Sequence, residues 1–133
     1  MTITAWWWRG TDHSAGHPNV GDELSPYILS KVLGEPIEFA HADEADCFCV
    51  GSICPTTQDD ELVSKRKTPL KIIGSGLMYP VPAMDHPMID YRLVRGYLTQ
   101  MCLPNYGASV PVGDPGLLMS RVYPLEPTNE IEI

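Results

Sequence analysis

The sequence predicts an α/β fold: a Rossmann-like, mainly parallel sheet of five to seven strands with flanking helices. Short apolar stretches run into a glycine four times along the chain, at Gly51, Gly74, Gly96 and Gly113. A polar or helix-starting segment follows each junction, as in a sheet whose strands end at one ligand-binding edge. The length of 133 residues corresponds to about one domain, and 44% hydrophobic residues are enough for a core.

Six segments are predicted to be strands, and the first is rich in β-forming residues. Trp6, Trp7 and Trp8 are consecutive in it, so they must alternate between the two faces of the sheet. Both faces of this strand must therefore be covered, as in a central strand of an α/β sheet. The predicted strands are residues 3–9, 36–40, 46–51, 70–74, 90–95 and 109–112.

The longest predicted helix follows the first strand and covers residues 22–34. Asp22 is a suitable N-cap, Pro26 fits the first turn, and Gly34 is a suitable stop. Between them the apolar residues recur with helical spacing, which predicts that one side of the helix packs on the sheet.

The second half of the chain is predicted to contain short helices and one long loop. Asp114 and Pro115 form an N-cap and first helical residue. Three prolines in residues 77–87 favour an ordered loop there. The strand-like residues 129–133 either dock on the sheet or begin a further domain, so the first domain is taken as residues 1–128. The short helices are predicted at residues 58–67, 96–103 and 114–119.

Charge and hydropathy argue against two classes of partner. The formal net charge of −8 disfavours nucleic acid and anionic membrane surfaces, both of which require basic patches. No apolar run approaches the roughly 20 residues of a membrane span. Residues 1–8 lack the basic segment and cleavage site of a signal peptide. We therefore expect a cytoplasmic protein without a transmembrane segment.

The four cysteines do not form a recognisable metal motif. Cys47, Cys49 and Cys54 are close in sequence, with His41 nearby, but the C-x-C-x4-C spacing matches no common zinc site. We expect Cys47 and Cys49 to lie on a buried strand as small apolar residues, and we expect no metal.

One glycine-rich segment resembles part of a dinucleotide-binding fingerprint. Gly74-Ser75-Gly76 follows a predicted strand, but Tyr79 stands where the third glycine belongs. Prolines follow where a helix would be required, and the chain has no P-loop. We therefore expect no cofactor, and a nucleotide-binding module remains a weaker alternative.

Several polar residues are predicted at the carboxyl ends of the strands. The amides around Asn19, Gly21 and Asp22 could hold a sugar or an anion at a helix start, or Asp22 could simply cap the helix. Arg95 could bind a carboxylate or phosphate, or form an ion pair with Asp22 or Asp114. Asp114 could cap a helix or act as a general base on a hydroxyl.

Five of these segments, taken in order, resemble motifs of the polysaccharide pyruvyl transferase family. They are Asn-Val-Gly-Asp-Glu-Leu-Ser-Pro (19–26), Val-Gly-Ser-Ile (50–53), Ile-Gly-Ser-Gly-Leu (73–77), Val-Arg-Gly-Tyr-Leu-Thr (94–99) and Gly-Asp-Pro-Gly-Leu-Leu (113–118).

The resemblance implies an activity and an architecture. Members of the family transfer pyruvate from phosphoenolpyruvate to two hydroxyls of a sugar as a ketal, in the synthesis of exopolysaccharides and cell-wall glycans. They are similar to GT-B glycosyltransferases, with two Rossmann-like halves around a cleft. This chain resembles the first half only, so it is expected to be inactive alone. No metal or cofactor is implied.

The resemblance also implies roles for individual residues. Arg95 and Asp114 are expected to be catalytic. The partners implied are phosphoenolpyruvate, a glycan or lipid-linked sugar acceptor, and a second-half chain or a second copy. The alternative is a stand-alone Rossmann-like module that binds a sugar or nucleotide without catalysis. The expected substrate-binding residues are Asn19, Gly21, Asp22, Gly51, Ser52, Gly74, Ser75 and Gly76.

Overall fold

A computed structural model of the chain describes residues 2–10, 19–105 and 107–124. Its central element is a five-stranded sheet in which all strand pairs are parallel, which confirms the α/β class. The predicted segment 129–133 lies outside the described residues. The strands are β1 (Ile3–Trp6), β2 (Ile37–Phe39), β3 (Cys47–Phe48), β4 (Leu70–Ser75) and β5 (Ile89–Val94), in the order β2-β1-β3-β4-β5.

The strand order determines where a ligand site is expected. From β1 the chain crosses to β2 on one side, and it then continues through β3, β4 and β5 on the other side. The direction of winding therefore reverses between β1 and β3. In open parallel sheets, ligands bind outside the carboxyl ends of the strands at this reversal point.

The longest helix is α1 (Val20–Leu33), and it corrects one prediction. Its N-cap is Asn19 and not Asp22, because the Asn19 side-chain oxygen accepts a hydrogen bond from the Gly21 amide at 2.9 Å. Asparagine caps as well as aspartate does, and this one lies three residues earlier. Asp22 is thereby moved into the first turn. The helix ends at Gly34 in a left-handed conformation, as predicted.

The remaining helices are short, and the segment 77–87 contains no helix, as its prolines predicted. The Asp114 side chain accepts a hydrogen bond from the Gly116 amide, so the predicted cap is confirmed. The helices are α2 (Asp60–Ser64), α3 (Tyr97–Met101) and α4 (Met119–Val122), with 3-10 turns at Gly107–Ser109 and Pro115–Leu118.

The predicted sixth strand, residues 109–112, is wrong. Only Val112 pairs with the sheet, through an isolated parallel bridge to Val94. Pro111 has no amide hydrogen to donate, so it cannot extend a ladder. The first and third strands are also shorter than predicted, because β1 and β3 pair only through Ala5 with Cys47 and Trp6 with Phe48.

Both faces of the sheet are covered, as the consecutive tryptophans predicted. Trp6 packs against Phe48 on one face, with ring centroids 5.1 Å apart, and Trp7 meets Phe39 edge-on at 5.0 Å on the other. Trp8 lies past the end of β1 and is 45% exposed. The α1 side of the core includes Ala5, Trp7, Ile28, Leu29, Cys47, Cys49 and Val50; the α2 side includes Phe48, Val63, Leu70, Ile72, Tyr91 and Val94.

Two of the cysteines belong to this core. Cys47 and Cys49 are buried on the α1 side, as predicted. Burial raises the pKa of the Cys49 thiol to about 12, so it stays protonated and packs as a small apolar group. The described residues contain no cluster of His, Cys, Asp and Glu able to hold a metal ion. None of the helices in the described part of the chain has the length and apolarity to span a bilayer.

The end of β4 lies very close to the turn at Pro115. Gly74 has a φ of +92°, and a Cβ there would lie 2.2 Å from the Cδ and Cγ atoms of Pro115. We predict that Gly74→Ala lowers the free energy of unfolding by about 3 kcal/mol or more, as measured by urea denaturation. Gly34→Ala is the control: its φ is +72° but nothing lies within 4 Å. The control should lose only about 1 kcal/mol. Equal losses would show that the close approach is unimportant.

Candidate functional site

The residues predicted as functional all lie at the carboxyl edge of the sheet. Asn19 and Asp22 are at the start of α1, which follows β1. Ser52 follows β3, Arg95 follows β5, and Asp114 follows the bridge at Val112. The other predicted residues at this edge are Gly51, which follows β3, Gly74 and Ser75 at the end of β4, and Gly76, which follows β4.

Hydrogen bonds tie three of these strand ends together. The carbonyl of Gly51 accepts from the Gly76 amide at 3.0 Å and from the Ser75 hydroxyl at 3.1 Å. The Arg95 amide donates to the Ser75 carbonyl at 3.0 Å. The Arg95 guanidinium donates through Nη2 to the Ser52 hydroxyl at 2.6 Å. The ends of β3, β4 and β5 therefore form one connected group.

The start of α1 is attached to the same group. The hydroxyl of Ser25, which is fully buried, accepts from the Val50 amide at 3.0 Å and donates to the Val50 carbonyl at 3.2 Å. This pair of bonds holds the first turn of the helix against the end of β3. Asp22 consequently lies beside Gly51, where a Cβ would come within 2.8 Å of the Asp22 Oδ1 atom.

Arg95 lies over Gly76 and is free of the predicted ion pairs. A Cβ on Gly76 would come 2.9 Å from the Arg95 Nε atom, so a larger residue there would displace this guanidinium. Arg92 with Asp90 is the sole ion pair within the described residues, and Arg95 pairs with neither Asp22 nor Asp114. Its Nε and Nη1 groups have no acceptor in the described part of the chain.

Asp22 is a buried carboxylate without a hydrogen-bond donor. Its exposure is 9%, and no residue in the described ranges donates to it. Burial raises the pKa of Asp22, and the adjacent negative charge of Glu23 raises it further. An unpaired carboxylate in such a place costs free energy. Within the described residues the fold supplies no hydrogen-bond donor for Asp22, so its carboxylate is available to a ligand.

Three of the amides at the start of α1, by contrast, are already occupied. The Gly21 amide donates to the Asn19 side chain, and the amides of Asp22 and Glu23 donate to the Asn19 carbonyl at 3.1 Å. An anion here would meet the Asp22 carboxylate in place of free amides. Of the two ligands that the sequence left open, a sugar suits this arrangement better than an anion.

A cavity of about 340 Å³ adjoins Asp22. It lies where the winding of the sheet reverses, because Trp8 follows β1 and Ser52 follows β3. A neighbouring cavity of about 370 Å³ shares its Trp8 and Ser52 walls. Both are within the size range of small-molecule sites. The smaller cavity is lined by Trp8, Asn19, Asp22, Ser52, Ile53 and Met78.

Two of these lining residues, Trp8 and Met78, were not among the residues that the sequence analysis singled out as functional. Trp8 was predicted only as part of a strand that runs to residue 9, but β1 ends at Trp6, and Trp8 is the exposed one of the three tryptophans. The sequence carried no signal for this early end of the strand. Met78 lies in the proline-containing loop shortly after the end of β4, and that position in the sequence was the available signal.

Asp114 has a structural partner that Asp22 lacks. Its Oδ1 atom accepts from the Gly116 amide at 2.8 Å and so begins the 3-10 turn at Pro115–Leu118. Of the two carboxylates, Asp22 is therefore the freer to accept a bond from a ligand. A catalytic role for Asp114 stays a prediction.

The fold and the site together define an α/β protein with a cavity at the reversal point of a parallel sheet. No family model, curated protein or solved structure matches this chain. The case for its function therefore rests on its own residues.

Asp22 gives a pH-dependent prediction. Its raised pKa means that the folded state favours the protonated form, so its contribution to stability is full below the unfolded value of 3.8 and is lost as pH rises through the folded pKa. Asp22→Asn should therefore raise the urea midpoint at about pH 7, and the gain should shrink toward about pH 4.

The control for this experiment is Asp46→Asn. The Asp46 carboxylate accepts from the Thr4 amide and hydroxyl, both at 2.9 Å, so its loss of charge should lower the urea midpoint. A destabilising Asp22→Asn at neutral pH would mean that Asp22 has a partner in the fold.

Proposed function

We propose that this chain is the acceptor-side half of a transferase of the polysaccharide pyruvyl transferase type. Such an enzyme joins C2 of phosphoenolpyruvate to two sugar hydroxyl oxygens and breaks the C2–O bond to phosphate. One hydroxyl proton ends on C3, which becomes a methyl group, and the other leaves with the phosphate. The observation that carries the proposal is that all five motif segments meet at one edge of the sheet.

Parallel topology alone brings strand ends to one edge, but here the segments also touch one another. Arg95 of the fourth segment bonds Ser52 of the second, across 43 residues of sequence. Asp22 of the first segment lies against Gly51 of the second, and Gly74 of the third lies against Pro115 of the fifth. Contacts of this kind support a common role for the segments.

Arg95 is proposed to bind the donor substrate, phosphoenolpyruvate. A guanidinium binds a carboxylate or phosphate through two parallel donors, and Arg95 keeps Nε and Nη1 available among the described residues. The bond to Ser52 fixes its orientation. Since the chain carries a net charge of −8, further cations for phosphoenolpyruvate are proposed to come from a second half.

The remaining residues of the edge are proposed to serve the acceptor. Glycines at positions 51, 74 and 76 allow a close approach of ligand to backbone. Asp22 is placed to accept a bond from a sugar hydroxyl, and Asp114 is proposed to orient or deprotonate a second hydroxyl with its remaining acceptor capacity. The acceptor would be a glycan or a lipid-linked sugar.

Large apolar side chains are exposed at this edge, which supports a covering partner. Tyr97 and Leu98 begin α3 with exposures of 74% and 78%. Met78 and Tyr79, in the loop that follows β4, are also largely exposed. Apolar surface of this kind is typical of interaction sites. A second-half chain, or a second copy of this chain, is the proposed partner.

A second candidate function is a sugar-binding module without catalysis. The observation that favours it is the cavity beside Asp22, which has residues of this chain as its described lining. The two candidates differ in whether a ketal is ever made.

The isolated chain should not catalyse pyruvyl transfer. Both walls of a cleft are needed to bring donor and acceptor together. Incubation with phosphoenolpyruvate and sugar acceptors, followed by mass spectrometry, should yield no ketal and no excess phosphate release. A ketal formed by this polypeptide alone would overturn the two-wall arrangement.

The chain joined to a second-half domain of the pyruvyl transferase type should form a ketal. In that joined protein, Arg95→Ala should lower kcat/KM by about 100-fold through loss of a charge-assisted contact to the donor. The control is Arg92→Ala, which removes the same charge from the β5 strand that precedes Arg95. Arg92 forms an ion pair with Asp90. The control variant should leave the rate unchanged. Absence of ketal in every pairing, or equal effects of the two variants, would contradict the proposal.

A further inference from the structure

We infer that the cavity lined by Trp8, Asn19, Asp22, Ser52 and Met78 binds one uncharged pyranose ring, with a ring hydroxyl donating to Asp22 and the ring packed on Trp8. The inference rests on the proposed function only in giving this sugar the role of acceptor. The site itself is argued from the residues around the cavity.

The first observation is the unpartnered carboxylate. Asp22 is nine-tenths buried, lines the cavity, and receives no hydrogen bond from the described residues. A ligand hydroxyl would supply the missing donor. Because the acceptor is ionised, that bond would be short and about twice as strong as a neutral one. The cavity thus offers a strong acceptor to an O–H group.

The other polar walls supply hydrogen-bond donors. The Asn19 Oδ1 atom accepts from the Gly21 amide, which leaves the side-chain NH₂ group to act as a donor. The Ser52 hydroxyl accepts from Arg95 and keeps its own hydrogen to donate. A ligand here must both donate and accept over a short distance, and adjacent hydroxyls of a sugar do so.

The apolar walls suit the ring. Trp8 presents an exposed indole past the end of β1, unlike Trp6 and Trp7, which pack in the core. Indole faces are negative, so they attract the slightly positive C–H groups of a pyranose. Met78 is flexible and can adjust to the other side of the ring.

Charged ligands fit this cavity less well. A phosphate would lie against the Asp22 carboxylate, and the α1 amides that would attract it are bonded to Asn19. A cation would lie near the Arg95 guanidinium, which contacts the Ser52 wall. The mixture of one carboxylate, one nearby guanidinium and neutral donors favours an uncharged ligand.

The test is binding by the whole chain, measured by saturation-transfer NMR and calorimetry. The probes are methyl glucopyranoside, galactopyranoside and mannopyranoside, with inorganic phosphate and tetramethylammonium as charged comparisons. At least one pyranoside should bind with a millimolar or lower Kd. Trp8→Ala and Asp22→Asn should each weaken it about tenfold.

Two control variants separate the site from its surroundings. Glu23→Gln removes a charge from the same helical turn outside this cavity, and Tyr97→Ala removes an exposed aromatic ring elsewhere on the edge. Both should bind the pyranoside normally. Asp22→Asn is expected to be more stable than the natural chain, so weaker binding could not be ascribed to unfolding.

The inference would be overturned if no pyranoside binds, if only phosphate or tetramethylammonium binds, or if Trp8→Ala and Asp22→Asn bind as tightly as the controls. Its failure is distinct from that of the proposed function. Pyranoside binding without ketal formation in any pairing would leave this site standing and remove pyruvyl transfer. Ketal formation that is unaffected by Trp8→Ala and Asp22→Asn would do the reverse.

Discussion

The carbonyl oxygen of Gly51 holds the working edge of this protein together. It accepts from the Gly76 amide and the Ser75 hydroxyl, so it joins the ends of β3 and β4. The turn that presents it requires a φ of +113°, which favours glycine. Immediately before it, the amide and the carbonyl of Val50 both form hydrogen bonds with the Ser25 hydroxyl of α1. Three segments distant in sequence, namely α1 and the ends of β3 and β4, therefore take their relative positions from two consecutive residues.

Asp22 lies beside this junction. Its carboxylate lowers the stability of the fold but is suited to bind a ligand. Burial raises the pKa of Asp22, so the fold makes its ionisation less favourable than it is in the unfolded chain. A neutral side chain would suit the fold better. Groups that weaken a fold where they stand tend to be found at functional sites, where a ligand supplies the missing interaction. The proposed pyranose site gives this carboxylate such a partner.

The two aspartates of the edge, Asp22 and Asp114, have similar sequence contexts but different roles in the structure. In the sequence each stands where a helix was predicted to start, and each was a candidate cap. Asp114 is a cap, whereas Asn19 takes that place in α1 and leaves Asp22 facing a cavity. The proposal that Asp22 contacts the acceptor sugar follows from this difference. The role of Arg95 as a donor ligand fits beside it, since its guanidinium reaches Ser52 on the wall of the same cavity.

The sequence by itself determined the α/β class, most of the strand positions, the end of α1 at Gly34 and the placement of the polar residues at one edge. These follow from local patterns: apolar runs, glycines that permit tight turns, and residues that start or stop helices. Tertiary structure decided what those patterns leave open. It reduced the strand predicted near Pro111 to one bridge, gave the cap of α1 to Asn19, bonded Arg95 to Ser52, and brought Trp8 and Met78 to the cavity. Such outcomes depend on which distant groups meet once the sheet has formed, and local sequence does not contain that information.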